Sequence, residues 1–339
     1  MRCYFNAMNQ TIYFHNSVYL TSAYSVVGTE EQKSKFAQYF DEKMDSQEWG
    51  EASFEKTELK MHKTAVRGAI REAGLDESDI DVIVGGDLLN QIISAGYSAR
   101  EFQSSFLGVY SACSTYAESM IVGSLLVSGG HVQRVACATS SHFSSAERQY
   151  RFPLELGTPR TPLSQWTVTG AGSLILSNLP SGEACPRVTM ATLGRIVDFG
   201  IKDANNMGAA MAPAAADTIV RHFRDTGRTP ADYDLIVSGD LGKYGSSVFK
   251  HLVKGEGYIL GTNYFDCGAE IFGDDEKKFQ GGSGAGCGAT VFNGYVYKKL
   301  RRGELKRVLF MPTGALMSKQ ISLQGESIPA IAHAVCVEV

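Results

Sequence analysis

Long apolar runs are missing from this 339-residue chain: none approaches the ~18 residues that read as a bilayer span. No membrane-crossing helix is expected, so any contact with a membrane would go through a partner. An excess of basic residues is missing too. Lys and Arg total 32 against 36 Asp and Glu, a formal net charge of -4, which argues against a nucleic-acid footprint. The one basic cluster, YKKLRRGELKR (297–307), reads as the solvated end of a helix. Paired cysteine motifs are absent. The seven cysteines (3, 113, 137, 185, 267, 287 and 336) are odd in number, contain no CxxC and lie partly in apolar runs. That is the pattern of reduced thiols in a cytosol-type compartment. The N-terminal MRCYFNAMNQTIYFHN lacks a signal-peptide core. There is no Walker A, HExxH or EF-hand pattern, and the histidines lack metal-ligand spacing, so no metal site is expected. His222 and His251 fall on charged, helix-like stretches and are expected in solvent.

What the chain does have is a repeat. DVIVGGDLL (81–89) and DLIVSGDLG (234–242) match in register, each after an acidic turn, and each reads as a buried strand ending in a polar loop. RVACATSS (134–141) matches RVLFMPTG (307–314) as a second strand. Between the paired strands lies a small-residue helix, CSTYAESMIVGSLLVSGGHVQ in one half and GSGAGCGATVFNGYVYKKLRRGELK in the other. KMHKTAVRGAIREAG (60–74) and AMAPAAADTIVRHFRDTG (210–227) are corresponding outer helices. Strands alternating with helices predict an α/β fold with largely parallel pairing. Two such halves predict a pseudo-twofold molecule, with two mixed sheets sandwiching central helices in αβαβα layers. The boundary is expected near residue 180, giving halves of 1–180 and 181–339. RFPLELGTPRTPLSQWTVTG (151–170) is proline-rich and expected to be an ordered loop.

GVYSACSTYAES (108–119) mounts Cys113 between a short apolar run and the first small-residue helix, a strand-to-helix turn where enzymes place nucleophiles. GAGCGA (284–289) fits GxGxxA with Glu304 twenty residues on, but a charged hinge precedes it instead of a strand. A small-residue helix start explains it better than a dinucleotide site.

A doubled pattern with a cysteine at the head of a central helix resembles the thiolase superfamily, which includes condensing enzymes such as β-ketoacyl-acyl carrier protein synthase III. A nearer resemblance is to a non-standard branch, the stage V sporulation protein AD (SpoVAD) family of endospore formers. It is carried by GGDLLNQ, GVYSACST, ATSSHFSSAERQYRFPLELG, QWTVTGAG, NMGAAMAPAAADTI, YDLIVSGDLG and IPAIAHAV, spread over residues 85 to 334. The resemblance implies a thiolase-like fold and binding of dipicolinic acid, alone or as its Ca²⁺ chelate, with no other cofactor. It also implies work with membrane SpoVA proteins in loading that compound into the forespore and in its release at germination. By analogy, the protein is a homodimer, cytoplasmic and peripherally associated with the forespore or spore inner membrane.

A condensing enzyme needs a thiolate, a base or electrophile such as His, and oxyanion donors. In that fold the latter groups come from the second half, where this chain reads SGDLGKYG (238–245) and GGSGAGCG (281–288), without His or Asn. Loss of one oxyanion donor alone costs a factor of about 10²–10³. The expectation is therefore a cavity and a thiol without the rest of the machinery. The alternative is an acyltransferase in which Cys113 is the nucleophile and His142 the base; the plainer role for His142 is lining the pocket or bonding a carbonyl. Arg148 and Arg151 are candidates to grip ligand carboxylates, against surface pairing with Glu147 or Glu155. Asp198 is a candidate partner for a pyridine nitrogen or Ca²⁺, against a turn or cap role; Asp203 and Asn205 read as turn and cap residues. Asp87 and Asp240 hold equivalent repeat positions, which suggests strand-end capping in both halves.

Overall fold

The computed structural model describes residues 9–150 and 160–339. Its principal strands are β1 (Thr11–Val27), β2 (Val82–Gly86), β3 (Ser105–Gly108), β4 (Arg134–Ser141), β5 (Gly170–Ser177), β6 (Arg187–Thr192), β7 (Leu235–Ser238), β8 (Tyr264–Asp266), β9 (Arg307–Met311) and β10 (Ala334–Glu338). From the centre outward, the first half pairs β1-β5-β4-β2-β3 and the second β6-β10-β9-β7-β8. The two orders are the same, which is the repeat of the sequence written as hydrogen bonds. In each half the repeated strand pairs in parallel with both neighbours: β2 with β3 and β4, β7 with β8 and β9. The two five-strand sets are continuous, because β1 pairs antiparallel with β6 across a register break between Tyr13 and Val18.

Burial follows from this layering. All five residues of β2 and all eight of β5 are buried, as strands covered on both faces must be. The helices that shape the layers and the site are α1 (Phe54–Glu72), α2 (Ile93–Ala99), α3 (Thr115–Ser128), α4 (Phe143–Tyr150), α5 (Met207–Thr226), α6 (Gly242–Gly255), α7 (Cys267–Ile271) and α8 (Ala285–Val291). α3 and α8 lie in the middle layer, where Tyr116, Met120, Val291 and Phe292 join one core with residues of both sheets. α1 covers the first sheet from outside and α5 with α6 the second, each over its own cluster. Small residues permit the close approaches. A Cβ at Gly286 would lie 2.3 Å from the carbonyl oxygen of Gly170, so GAGCGA serves helix-to-strand packing.

After α8 the helix widens through a π turn, Phe292–Val296. Asn293 in that turn donates to the carbonyls of Tyr24 and Ser173, both at 3.0 Å, and accepts from the Tyr116 hydroxyl at 2.7 Å. One buried amide thus ties the middle layer to β1 and β5. The placement of His222 corrects the expectation of solvent exposure. It is buried, pairing with the hydroxyls of Thr192 at 2.7 Å and Tyr233 at 2.5 Å, and burial lowers its pKa to about 4. α5 turns its 215, 218, 219, 222 and 223 positions inward; the neighbouring arginines that suggested exposure belong to the helix's outer side.

Candidate functional site

The Cys113 turn is built by its neighbours. Ala112 takes a left-handed φ of 49°, a strained conformation that folds tend to hold at functional turns. Thr115 supplies its hydroxyl to the Ser111 N–H at 3.0 Å and donates to the Ala112 carbonyl at 2.6 Å. Ser114 donates to the Pro312 carbonyl at 2.8 Å. Gly314 has no room for a side chain, since a Cβ there would lie 2.1 Å from the Ser111 carbonyl oxygen. The second half therefore presses directly against the back of the turn.

At the front, the thiol meets Ser283, with Sγ to Oγ at 3.9 Å, and lies within electrostatic reach of the Asp240 carboxylate. Asp240 accepts from Thr313 Oγ1 at 2.7 Å, Ser283 Oγ at 3.3 Å and the Gly284 N–H at 3.4 Å. Burial pushes the Asp240 carboxyl up to about 6, against these hydrogen bonds. Burial also pushes the Cys113 thiol well above its ordinary value, and the negative charge of Asp240 pushes in the same direction. The site therefore favours a protonated thiol, the reverse of what a nucleophile requires.

Asp240 departs from the expected symmetry. Asp87, its counterpart, accepts from the backbone N–H groups of Leu89 and Ala95, both at 2.7 Å, and so caps its own loop. In the second half that work falls to Asp266, which accepts from the N–H groups of Leu241, Gly242 and Ala269. Asp240 is thereby released to face the thiol. The sequence signal was present in SGDLG, at the loop where a polarising group belongs in condensing enzymes.

The crevice immediately at the thiol is small, about 20 Å³, walled by Leu88, Tyr110, Tyr150, Met207 and Met317. That is room for about one water. Leu88, Tyr110, Tyr150 and Met317 also wall a second cavity of about 500 Å³, which adds Asn90, Gln91 and Gln149 among its polar groups. The expected cavity is thus present but opens beside the cysteine instead of over it.

The other sequence candidates are not gathered there. His142 is buried; its Nε2 donates to the Gln47 carbonyl at 2.9 Å, its Nδ1 accepts from the Ser144 N–H at 3.2 Å, and its ring stacks on Phe54. Both nitrogens are occupied away from Cys113. Arg148 pairs with Glu55 on α1. Arg151 lies outside the described residues. Asp198 is exposed, accepting from Ser327 Oγ at 2.5 Å and the Gly200 N–H at 2.8 Å. The histidine that does reach the turn is His333. Its Nδ1 accepts from the Gly194 N–H at 3.1 Å, which leaves the proton on Nε2, 3.3 Å from Ser111 Oγ. It buttresses the turn from behind.

Comparison with known proteins places this geometry. The family model described as stage V sporulation protein AD (SpoVAD) matches residues 8–338. A stage V sporulation protein AD of Bacillus subtilis (strain 168) is 43% identical over 329 residues, covering 97% of this chain and 96% of that protein. Among solved structures, acetamide-bound OleA of Xanthomonas campestris superposes with a TM-score of 0.62 at 12% identity, over 97% of this chain and 100% of that one. A cerulenin co-crystal of the same protein gives 0.61 at 11% identity, over 99% and 100%. At such identity these structures speak for the fold alone, which is thiolase-like.

Proposed function

Because the chain belongs to the stage V sporulation protein AD family, we propose that it acts in sporulation as a non-catalytic binding protein for dipicolinic acid, free or as its Ca²⁺ chelate. In this reading it works with membrane SpoVA proteins to load the compound into the forespore and to release it at germination. It sits on the cytoplasmic side, as a homodimer held at the membrane by those partners.

The observation that carries the non-catalytic part is Asp240. A buried carboxylate against a buried thiol opposes the thiolate on which acyl transfer depends. The binding part is supported by the cavity of about 500 Å³ beside it, a size typical of small-molecule sites. Its apolar walls suit the faces of a pyridine ring. The amides of Asn90, Gln91 and Gln149 and the phenols of Tyr110 and Tyr150 suit carboxylate oxygens. The fold suits a dimer as well: β3 is a sheet edge, with Leu107 in it and Tyr110 just after it roughly half exposed, and exposed edges are ordinarily covered.

Calorimetric titration with dipicolinate, with and without Ca²⁺, tests the reading. Saturable heat that disappears when Tyr110 and Gln149 are both replaced by Ala is the expected result. No heat and no thermal shift at millimolar ligand in either condition would overturn it.

A further inference from the structure

A trough of about 800 Å³ lies between α1 and α2. One wall is a stripe of amines at Lys56, Lys60 and Lys63, on one face of α1. The other is Ile93 and Tyr97, on one face of α2, and Arg100 just after its end. Both sets follow helical spacing, so each forms a line about 10 Å long. Ile93 and Tyr97 are 38% and 47% exposed, unusual for large apolar side chains side by side.

Lys56 reaches outward from α1, whereas Lys60 donates to the Trp49 carbonyl at 2.7 Å and lies 4.7 Å over its ring, and Arg100 lies 4.7 Å over the ring of Tyr97. Lys60 lies 3.7 Å from Glu51, Lys63 3.6 Å from Glu101 and Arg100 3.8 Å from Glu101, all at least partly exposed. Such pairs contribute little and exchange readily. Glu55 is engaged with Arg148. Four cations outnumber the acids at the trough, Glu51, Glu55 and the adjoining Glu101, so its surface is net positive.

We propose that this trough docks an acidic amphipathic helix of a partner protein. Carboxylates spaced at i, i+4 and i+7 match the amines of α1 in register, and apolar residues on the adjoining face of the same helix fill the space beside Ile93 and Tyr97. The position also gives the contact a purpose. Ile92 lines the ligand cavity and Ile93 the trough, so a helix seated here lies one residue from the ligand. The proposal stands on the trough alone and does not require dipicolinate in the cavity.

The test uses the full chain and a fluorescein-labelled amphipathic peptide of about five helical turns, with Glu facing the amine stripe and Leu beside it. Fluorescence anisotropy should show saturable binding that weakens several-fold from low to physiological salt. Lys56→Glu and Tyr97→Ala should each weaken it about tenfold, as loss of an interface anchor does. Both side chains are exposed, and unchanged melting curves check the fold. A peptide with Lys in place of the Glu facing residue 56 should recover binding to the Lys56→Glu protein. Absence of binding, equal binding by a scrambled peptide, or failure of the charge exchange would overturn the proposal. So would sedimentation showing that Tyr97→Ala dissociates a dimer, which would give the trough to a second copy. Capture by anionic vesicles in place of the peptide would also overturn it.

Discussion

A thiolate at Cys113 would form beside the Asp240 carboxylate, two like charges in a crevice with space for one water. Replacing Asp240 with Asn keeps a hydrogen-bonding group of the same size for Thr313 and Ser283 but removes the opposing charge. The Cys113 pKa should then fall. Mapped alkylation by iodoacetamide at pH 8 is expected to speed up several-fold in Asp240→Asn and to stay slow in Asp240→Glu. An unchanged rate in the Asn variant would show that burial alone governs the thiol. At this scale the sequence was only half legible. The strand-to-helix turn pointed to Cys113, and the resemblance to condensing enzymes pointed to the two second-half loops. The repeat suggested that Asp87 and Asp240 do the same work, and they do not. Which carboxylate caps a loop depends on where a third acid, Asp266, projects from β8, and no spacing rule reports that.

Among the elements, α1 is tied inward by Glu58. It is fully buried and accepts from Ser140 Oγ on β4 at 3.1 Å and from Ser145 Oγ on α4 at 2.7 Å. Burial, then the nearby Asp87, raise its pKa to about 8; burial likewise raises Glu31 and Asp266 to about 7. An acid whose folded pKa is raised binds more protons folded than unfolded. Stability is therefore greatest below the unfolded value and declines as pH rises toward the folded one. The buried histidines, lowered to about 4 at His62, His222 and His333, oppose this only below about 6.5. Between pH 6.5 and 8 the acids act alone. Unfolding free energy is expected to fall across that window, and Glu58→Gln should flatten the fall by on the order of 1 kcal/mol. Urea melts at the two pH values measure it; an equal slope in the variant would mean that Glu58 is not the titrating group. Element positions were the most legible feature of the chain. The 60–74 and 210–227 patterns became Phe54–Glu72 and Met207–Thr226, because an amphipathic stripe against a sheet is a local property. The contact of α5 with α6 through Gly208 and Gly245, whose added Cβ atoms would lie 2.6 to 2.7 Å from backbone on the other side, was not legible. Small residues announce a close approach without naming the partner.

For the whole molecule, the sequence repeat foretold two alike halves, and the two identical strand orders bear that out. It did not foretell one continuous sheet, since the β1–β6 pairing joins segments that share no pattern. The outward edge at β3 is the place where the proposed homodimer would close. Leu107→Lys should convert a dimer to a monomer in analytical ultracentrifugation while leaving the melting of the monomer fold cooperative. A dimer that survives the charge pairs through some other face.

Cys113 is read here as a buried, protonated thiol beside a binding cavity and not as a nucleophile. Incubation of the wild-type protein with a series of acyl-CoA donors, followed by intact and peptide-mapped mass spectrometry, examines this without intermediary. The prediction is an unmodified chain at every acyl length. An acyl group on Cys113 that forms and then turns over would contradict it.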